Sequence, residues 1–260
     1  MGTALITGAS PGIGEIFARQ LAAKKMNLVL VARSRNKLNE LAEELNSTYQ
    51  VQVDTIVQDL TEVAAGQVVF DTVQGKGLEI ELLVNNAGFG DYGTFSDRPL
   101  SKQMAMIQLN IAAVVELTGL FLPPMQQRGS GAIINVSSIA GFQPIPYMSV
   151  YAATKAFVLN FSEALWAENK ELGVKILAVC PGPTESKFFD RAEFPNSATG
   201  GSGMTLADTS QVVAASLKAL EKGQANIVPG SFTNQIIVNI PRLVPRDFLV
   251  DLVGKQFKKI

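Results

Sequence analysis

The 260-residue chain contains no histidine and one cysteine, Cys180. The first absence removes imidazole metal ligands, Ser-His-Asp and Cys-His catalysis and a histidine base. The second excludes a disulfide within the chain and a thiolate metal site, so no metal centre is expected. An excess of either charge is also missing, with 22 Lys plus Arg against 23 Asp plus Glu. A nucleic-acid partner would call for a basic excess, and none is expected. No unbroken apolar run of about 18 residues occurs, so no transmembrane segment is expected. The opening Met1–Gly8 lacks a basic stretch leading into an apolar one, which argues against a secretory signal and for a cytoplasmic setting. Apolar residues make up 47% and charged residues 17%, which excludes a disordered chain. Proton chemistry is left to Asp, Glu, Tyr, Lys, Ser or the lone Cys, and with only four tyrosines each one is worth locating.

Short apolar runs alternate with helical patterns. Strands are predicted at Thr3–Ile6, Asn27–Ala32, Val51–Val57, Ile80–Asn85, Gly131–Ser137, Val174–Cys180 and Ala225–Pro229. Helices are predicted at Ile13–Lys25, Arg35–Leu45, Thr61–Val73 with Thr61 as its cap, Ser101–Met125 ending near Pro123-Pro124, Ser149–Leu172 and Thr205–Glu221. Strands separated by helices need parallel crossovers. The expected fold is therefore a doubly wound α/β domain, a mostly parallel seven-stranded sheet with helices on both faces. The long stretch Thr184–Gly203 follows a strand's C-terminal end, where ligands of such sheets bind, and is expected to act as a lid.

Between the first strand and the first helix lies Thr7-Gly8-Ala9-Ser10-Pro11-Gly12-Ile13-Gly14. Glycines there let the backbone approach a pyrophosphate seated at a helix N-terminus. The acidic residue that would bind a ribose hydroxyl about 20 positions on is missing. Position 33, which is 33 − 14 = 19 past the last glycine, is Arg33, and Ala32 precedes it. An arginine can pair with a 2′-phosphate, which a carboxylate would repel. Ser34 is a second candidate for that phosphate, and Arg35 a further one. Tyr151 and Lys155 stand four apart on one predicted helix and so share a face.

Together with Asn85-Asn86-Ala87-Gly88, Asn110, Ser138 and Pro181-Gly182, these motifs resemble those of the short-chain dehydrogenases/reductases, in order and spacing, up to about Val228. The resemblance implies an NADP(H)-dependent oxidoreductase that interconverts a carbonyl compound and a secondary alcohol. It implies a catalytic set of Asn110, Ser138, Tyr151 and Lys155, with Ser138 chosen over Ser137 and Asn110 holding a water that relays protons to Lys155. Its cofactor set is Gly8, Ser10, Gly12, Ile13, Gly14, Arg33, Ser34, Asp59, Leu60, Asn86, Ala87, Gly88, Tyr151, Lys155, Pro181, Gly182 and Thr184. Asn85 is expected to brace strands. Tyr151 is expected to give the proton, its pKa lowered by the Lys155 ammonium and the oxidised nicotinamide. A homodimer or homotetramer paired through the two long helices is also implied.

A small apolar carbonyl or alcohol is the expected substrate, with Phe89, Tyr92, Phe142, Ile145, Tyr147, Phe188 and Phe189 as candidate pocket residues. Residues 1–230 are read as the dinucleotide-binding and catalytic domain, and 231–260 as a helical tail packed on it or on a neighbouring subunit. The tail's Phe248, Leu249, Leu252, Val253, Gln256, Phe257 and Ile260 share a helical face, for which packing is favoured over membrane contact. Cys180 reads as a small core residue. The rivals are a 3-oxoacyl-thioester reductase, which shares every motif, and a non-catalytic NADP-sensing protein, which would be expected to lose Tyr151 or Lys155.

Overall fold

The computed structural model describes residues 2–185, 188–194 and 206–258. Seven parallel strands form one sheet: β1 (Thr3–Thr7), β2 (Asn27–Ala32), β3 (Val53–Val57), β4 (Ile80–Asn85), β5 (Gly131–Val136), β6 (Val174–Val179) and β7 (Asn226–Ile227). Their order is β3-β2-β1-β4-β5-β6-β7. The chain winds outward from β1 to β3, then returns to the other side of β1 with β4. The order reverses between β1 and β4, and a crevice opens there at the strands' C-terminal ends.

Strand residues alternate between two cores because successive side chains point to opposite faces. Ile6, Leu30, Val84 and Ile134 pack with Phe17 and Leu21 of α1 (Ile13–Ala23) and Leu38 of α2 (Arg35–Tyr49). Leu5, Val29, Leu83 and Ile133 pack on the other face with Val69 and Val73 of α3 (Ala65–Gly75) and Leu117 and Phe121 of α5 (Ala113–Gln127). Asn85 ties β4 to β5 and α5: its Nδ2 donates to Asn135 Oδ1 at 2.9 Å and to Thr118 Oγ1 at 3.1 Å.

Several helix boundaries depart from the sequence reading by two to four residues, and two of them have causes visible in the contacts. Thr61 caps nothing, because the Asp59 carboxylate accepts both its N–H and its hydroxyl. Helix α3 starts four residues later, and Glu116 of α5 accepts from its first amides, Gly66 N at 3.0 Å and Gln67 N at 3.3 Å. Pro123 and Pro124 lie inside α5 rather than ending it. Burial of Phe121, Leu122 and Met125 holds that last turn in place. Helix α4 (Leu100–Ile107) runs into α5 through a π turn over Gln108–Ala112.

The resulting 28-residue helix, Leu100–Gln127, is long and apolar enough by length and composition to cross a membrane, with a mean hydropathy of 1.7. No such segment was expected, because no single apolar run is long enough; polar residues spaced along the helix interrupt it. In this fold 44% of its apolar window is buried. Beyond α6 (Ser149–Asn169) come the four-residue α7 (Phe188–Arg191) and α8 (Thr209–Glu221). The tail forms α9 (Phe232–Asn239) and α10 (Arg246–Lys258).

Candidate active site

A cleft of about 1220 Å³ runs over the C-terminal ends of the central strands. Its first half is the loop between β1 and α1. Gly8 has φ 66° and Gly12 φ 131°, conformations that side chains other than glycine rarely adopt. A Cβ on Gly14 would sit 2.3 Å from the Gly8 oxygen and 2.5 Å from Asn86 Nδ2. The loop is tied to β4: Asn86 Nδ2 donates to the carbonyls of Thr7 and Gly8, and the Thr7 hydroxyl accepts from the amides of Asn86 and Ala87. No side chain caps the start of α1, so its first amides face the cleft with their partial positive charge.

Ser10, Ile13, Ala87 and Gly88 line this half, and Arg33, Ser34, Asp59 and Leu60 line its far wall. Arg33 is 70% exposed, with Nη1 3.6 Å from Asp59 Oδ2. Arg35 does not line the cleft, whereas Lys37, in the first turn of α2, does. Sequence reasoning missed Lys37, although a cation in the first turn after Arg33 was the available signal. A bare glycine loop, an uncapped helix start and two cations with no carboxylate at position 32 fit a dinucleotide bearing an extra phosphate.

The other half holds Ser138, Tyr151 and Lys155, with Pro181, Gly182 and Thr184 on the opposite lip. Ser138 leaves β5 in extended backbone, and its Oγ accepts from Ala140 N at 3.1 Å and donates to the Pro181 carbonyl at 3.4 Å. The Ser137 hydroxyl is committed elsewhere, donating to the Lys155 carbonyl at 2.6 Å. Lys155 Nζ donates to the Val136 carbonyl at 2.9 Å and lies 5.8 Å from the centre of the Tyr151 ring.

Burial raises the Tyr151 phenol to about 12, with a hydrogen bond to Ser138 acting the other way. Burial also drives the Lys155 ammonium down to about 8, and a small contribution from Cys180 opposes it. The depression expected at Tyr151 is thus reversed in the protein alone, since desolvation dominates both groups. Burial pushes the Cys180 thiol up to about 12, so it stays protonated in the core.

Asn110 does not line the cleft. It sits in the π turn behind it, and both halves of its amide are occupied. Its Oδ1 accepts from Phe89 N at 3.1 Å, while Nδ2 donates to the Phe89 carbonyl at 3.0 Å and to Thr154 Oγ1 at 3.1 Å. A Cβ on Gly88 would meet Asn110 Oδ1 at 3.0 Å and Lys155 Nζ at 3.5 Å, so the three residues are close-packed. The amide therefore fixes the backbone beside Lys155.

The cleft widens beyond Tyr151 into a chamber walled by Phe89, Ile145, Phe188 and Phe189. Tyr92, Phe142 and Tyr147 do not reach it. Tyr92 donates instead to the Phe257 carbonyl and packs on the Tyr147 ring, while Phe142 packs beside Leu159, Cys180 and Val228. The tail supplies the remaining wall. Leu249 and Val253 are buried in a cluster with Met148 and Tyr151, while Asn234 of α9 overhangs Gly182. Of the stretch expected to act as a lid, residues 186–187 and 195–203 lie outside the described residues. Its described part is pinned: Arg98 and Lys102 each bridge the buried Asp91 to Glu193.

A parallel sheet with a glycine loop at its switch point, and Ser, Tyr and Lys at the far end of one cleft, defines a dinucleotide-dependent oxidoreductase. Residues 2–194 match the short chain dehydrogenase family, and the chain belongs to it. It is 40% identical over 186 residues to the very-long-chain 3-oxoacyl-CoA reductase of Anas platyrhynchos and 38% identical over 186 residues to that of Homo sapiens. Each alignment takes in 68% of this chain and 58% of the relative, so the chain spans under two thirds of those proteins' length. A short-chain dehydrogenase from Sphingobium yanoikuyae solved in complex with NADPH superposes with a TM-score of 0.81 at 34% identity, over 88% of this chain and 87% of that one. A 7β-hydroxysteroid dehydrogenase structure gives 0.87 at 27% identity, over 97% and 96%.

Proposed function

We propose that the chain is an NADP(H)-dependent oxidoreductase interconverting an apolar carbonyl compound and its secondary alcohol. One observation carries the reading: a single cleft joins the glycine loop with Arg33 and Lys37 to buried Ser138, Tyr151 and Lys155. When bound, the nicotinamide cofactor supplies or accepts the hydride. Ser138, fixed at the end of β5, donates a hydrogen bond to the carbonyl oxygen. Tyr151, held as a phenol by its burial, gives the proton to that oxygen as it becomes a hydroxyl. Lys155, an ammonium at neutral pH whose pKa burial lowers to about 8, returns the proton to Tyr151. Asn110 is a positioning residue that holds the Phe89 backbone.

The chamber's aromatic and aliphatic walls support an apolar substrate. The names of the reductase relatives favour a second reading, reduction of a 3-oxoacyl thioester, within the same chemistry. A non-catalytic NADP sensor is disfavoured because Ser138, Tyr151 and Lys155 are all gathered in the cleft. The reading includes a cytoplasmic setting, in keeping with a lone, buried thiol at Cys180. It also includes a homodimer or homotetramer, in keeping with exposed Leu100, Met104 and Phe157 on α4 and α6. The experiment that tests the function follows NADPH absorbance against ketones, aldehydes and 3-oxoacyl thioesters. NADPH consumption with at least one carbonyl class is expected, and no consumption with any of them would refute the reading.

A further inference from the structure

The substrate half of the cleft holds one charge that the proposed chemistry does not use. Among the described residues, the charged side chains lining the cleft are Arg33, Lys37 and Asp59 at the cofactor end, Lys155 at the reacting centre, and Arg191. Arg191 closes the one-turn helix α7, three residues after Phe188, whose ring centre lies 5.2 Å from that of Tyr151. Residues three apart share a helix face, so Arg191 stands on the chamber side of α7, one turn out from the reacting centre. It is exposed there, at the mouth.

The acid nearest to it in sequence among the described side chains is committed elsewhere. Glu193 pairs with Arg98 Nη2 at 2.7 Å and with Lys102 Nζ at 2.6 Å, and both cations also pair with the buried Asp91. Two cations and two carboxylates leave that cluster neutral, and it anchors the turn after Arg191. Tyr92 N fixes the same turn by donating to the Ala192 carbonyl at 2.9 Å. Among the described residues, no carboxylate pairs with Arg191 and none lines the chamber.

We propose that Arg191 receives an anionic oxygen group, a carboxylate or a phosphate, carried by the substrate at the end away from its carbonyl. The inference rests on the reading of the cleft as a carbonyl-reducing site. It makes the substrate amphipathic, with an apolar body against Phe89, Ile145 and Phe188 and a charged end in the planar fork of the guanidinium. Ser138 and Tyr151 hold one end and Arg191 the other, which sets which way round the molecule enters.

Binding needs no turnover, so the test stands apart from the proposed activity. Decanoate, decyl phosphate and the uncharged 1-decanol are titrated by calorimetry into the full-length protein with NADP in excess. Arg191→Gln should weaken at least one of the anions about fivefold, the scale of an exposed ion pair, and leave 1-decanol unchanged. The anion that loses more identifies the group. Arg191→Lys should retain part of the affinity. Binding of that anion should weaken from 0.15 M to 1 M NaCl, as the screening length falls from ~8 to ~3 Å. Arg33→Ala, at the cofactor end, should not weaken it. Unchanged melting temperatures establish that the variants are folded. Three results would overturn the proposal: neither anion bound, equal loss of anion and alcohol in Arg191→Gln, or loss in Arg33→Ala with none in Arg191→Gln.

Discussion

Replacing Lys155 by methionine should make the cofactor-free protein more stable while destroying its activity. The side chain is buried, and holding an ammonium there lowers its pKa from the ordinary 10.5 to about 8. The charged form is thus disfavoured in the folded chain relative to the unfolded one. At pH 7, below both values, the penalty is fully present and amounts to about 3 kcal/mol. Methionine fills similar volume without the charge, but the Val136 carbonyl loses its 2.9 Å donor, a loss of ~1 kcal/mol. The net gain is about 2 kcal/mol, or roughly 5 °C in Tm for a chain of this size. The penalty fades little by little as pH rises. Between about 8 and 10.5 the folded lysine is neutral while the unfolded one still binds a proton, so the wild type recovers stability. By pH 10 the penalty is under ~1 kcal/mol, and the advantage of methionine should vanish. Thermal melts of both proteins without cofactor, at pH 7 and pH 10, measure this directly. A variant that melts at or below the wild type at pH 7, or a gain that is the same at both pH values, would refute the argument from burial.

Tyr151→Phe should lower turnover by about 10²–10⁴ and leave NADPH binding intact, read by stopped-flow and by fluorescence titration of the coenzyme. Arg33→Ala should weaken NADPH about tenfold or more while sparing NADH, from loss of a charge-assisted phosphate contact. Equal dissociation constants for the two coenzymes in the parent protein would count against that assignment. Glu116→Ala removes the acceptor at the start of α3 and should cost about 1–2 kcal/mol of stability in urea unfolding, with little effect on KM.

The sheet was legible because buried parallel strands announce themselves as short apolar runs, and the switch point follows from their alternation with helices. Helical spacing put Tyr151 and Lys155 on one face, and their role with Ser138 was legible through the resemblance in motif order and spacing. Sequence could not show what depends on contacts between distant elements. Thr61 reads as a cap until Asp59 takes its hydroxyl, and the true acceptor, Glu116, lies 50 residues from Gly66. Asn110 was placed in the right neighbourhood, but its amide is occupied by Phe89, 21 residues away. Tyr92 and Tyr147 read as pocket aromatics, and only the packed tail shows them facing Phe257 and each other. Lys37 reads as a solvated helix cation until the fold sets the first turn of α2 against the cleft.

The chamber's outer wall comes from a different stretch of chain than its chemistry. Ser138, Tyr151, Lys155 and the glycine loop all precede residue 185, within the segment that matches the family, whereas Asn234, Leu249 and Val253 follow it. The tail's grip on the body is mostly apolar, with Tyr92 donating to the Phe257 carbonyl. Such a wall can be rewritten by substitution or exchange without replacing a single group that moves a proton. Substrate choice is then a separable trait, free to drift over a fixed reaction centre, and libraries confined to residues 231–258 are where altered specificity should be sought first.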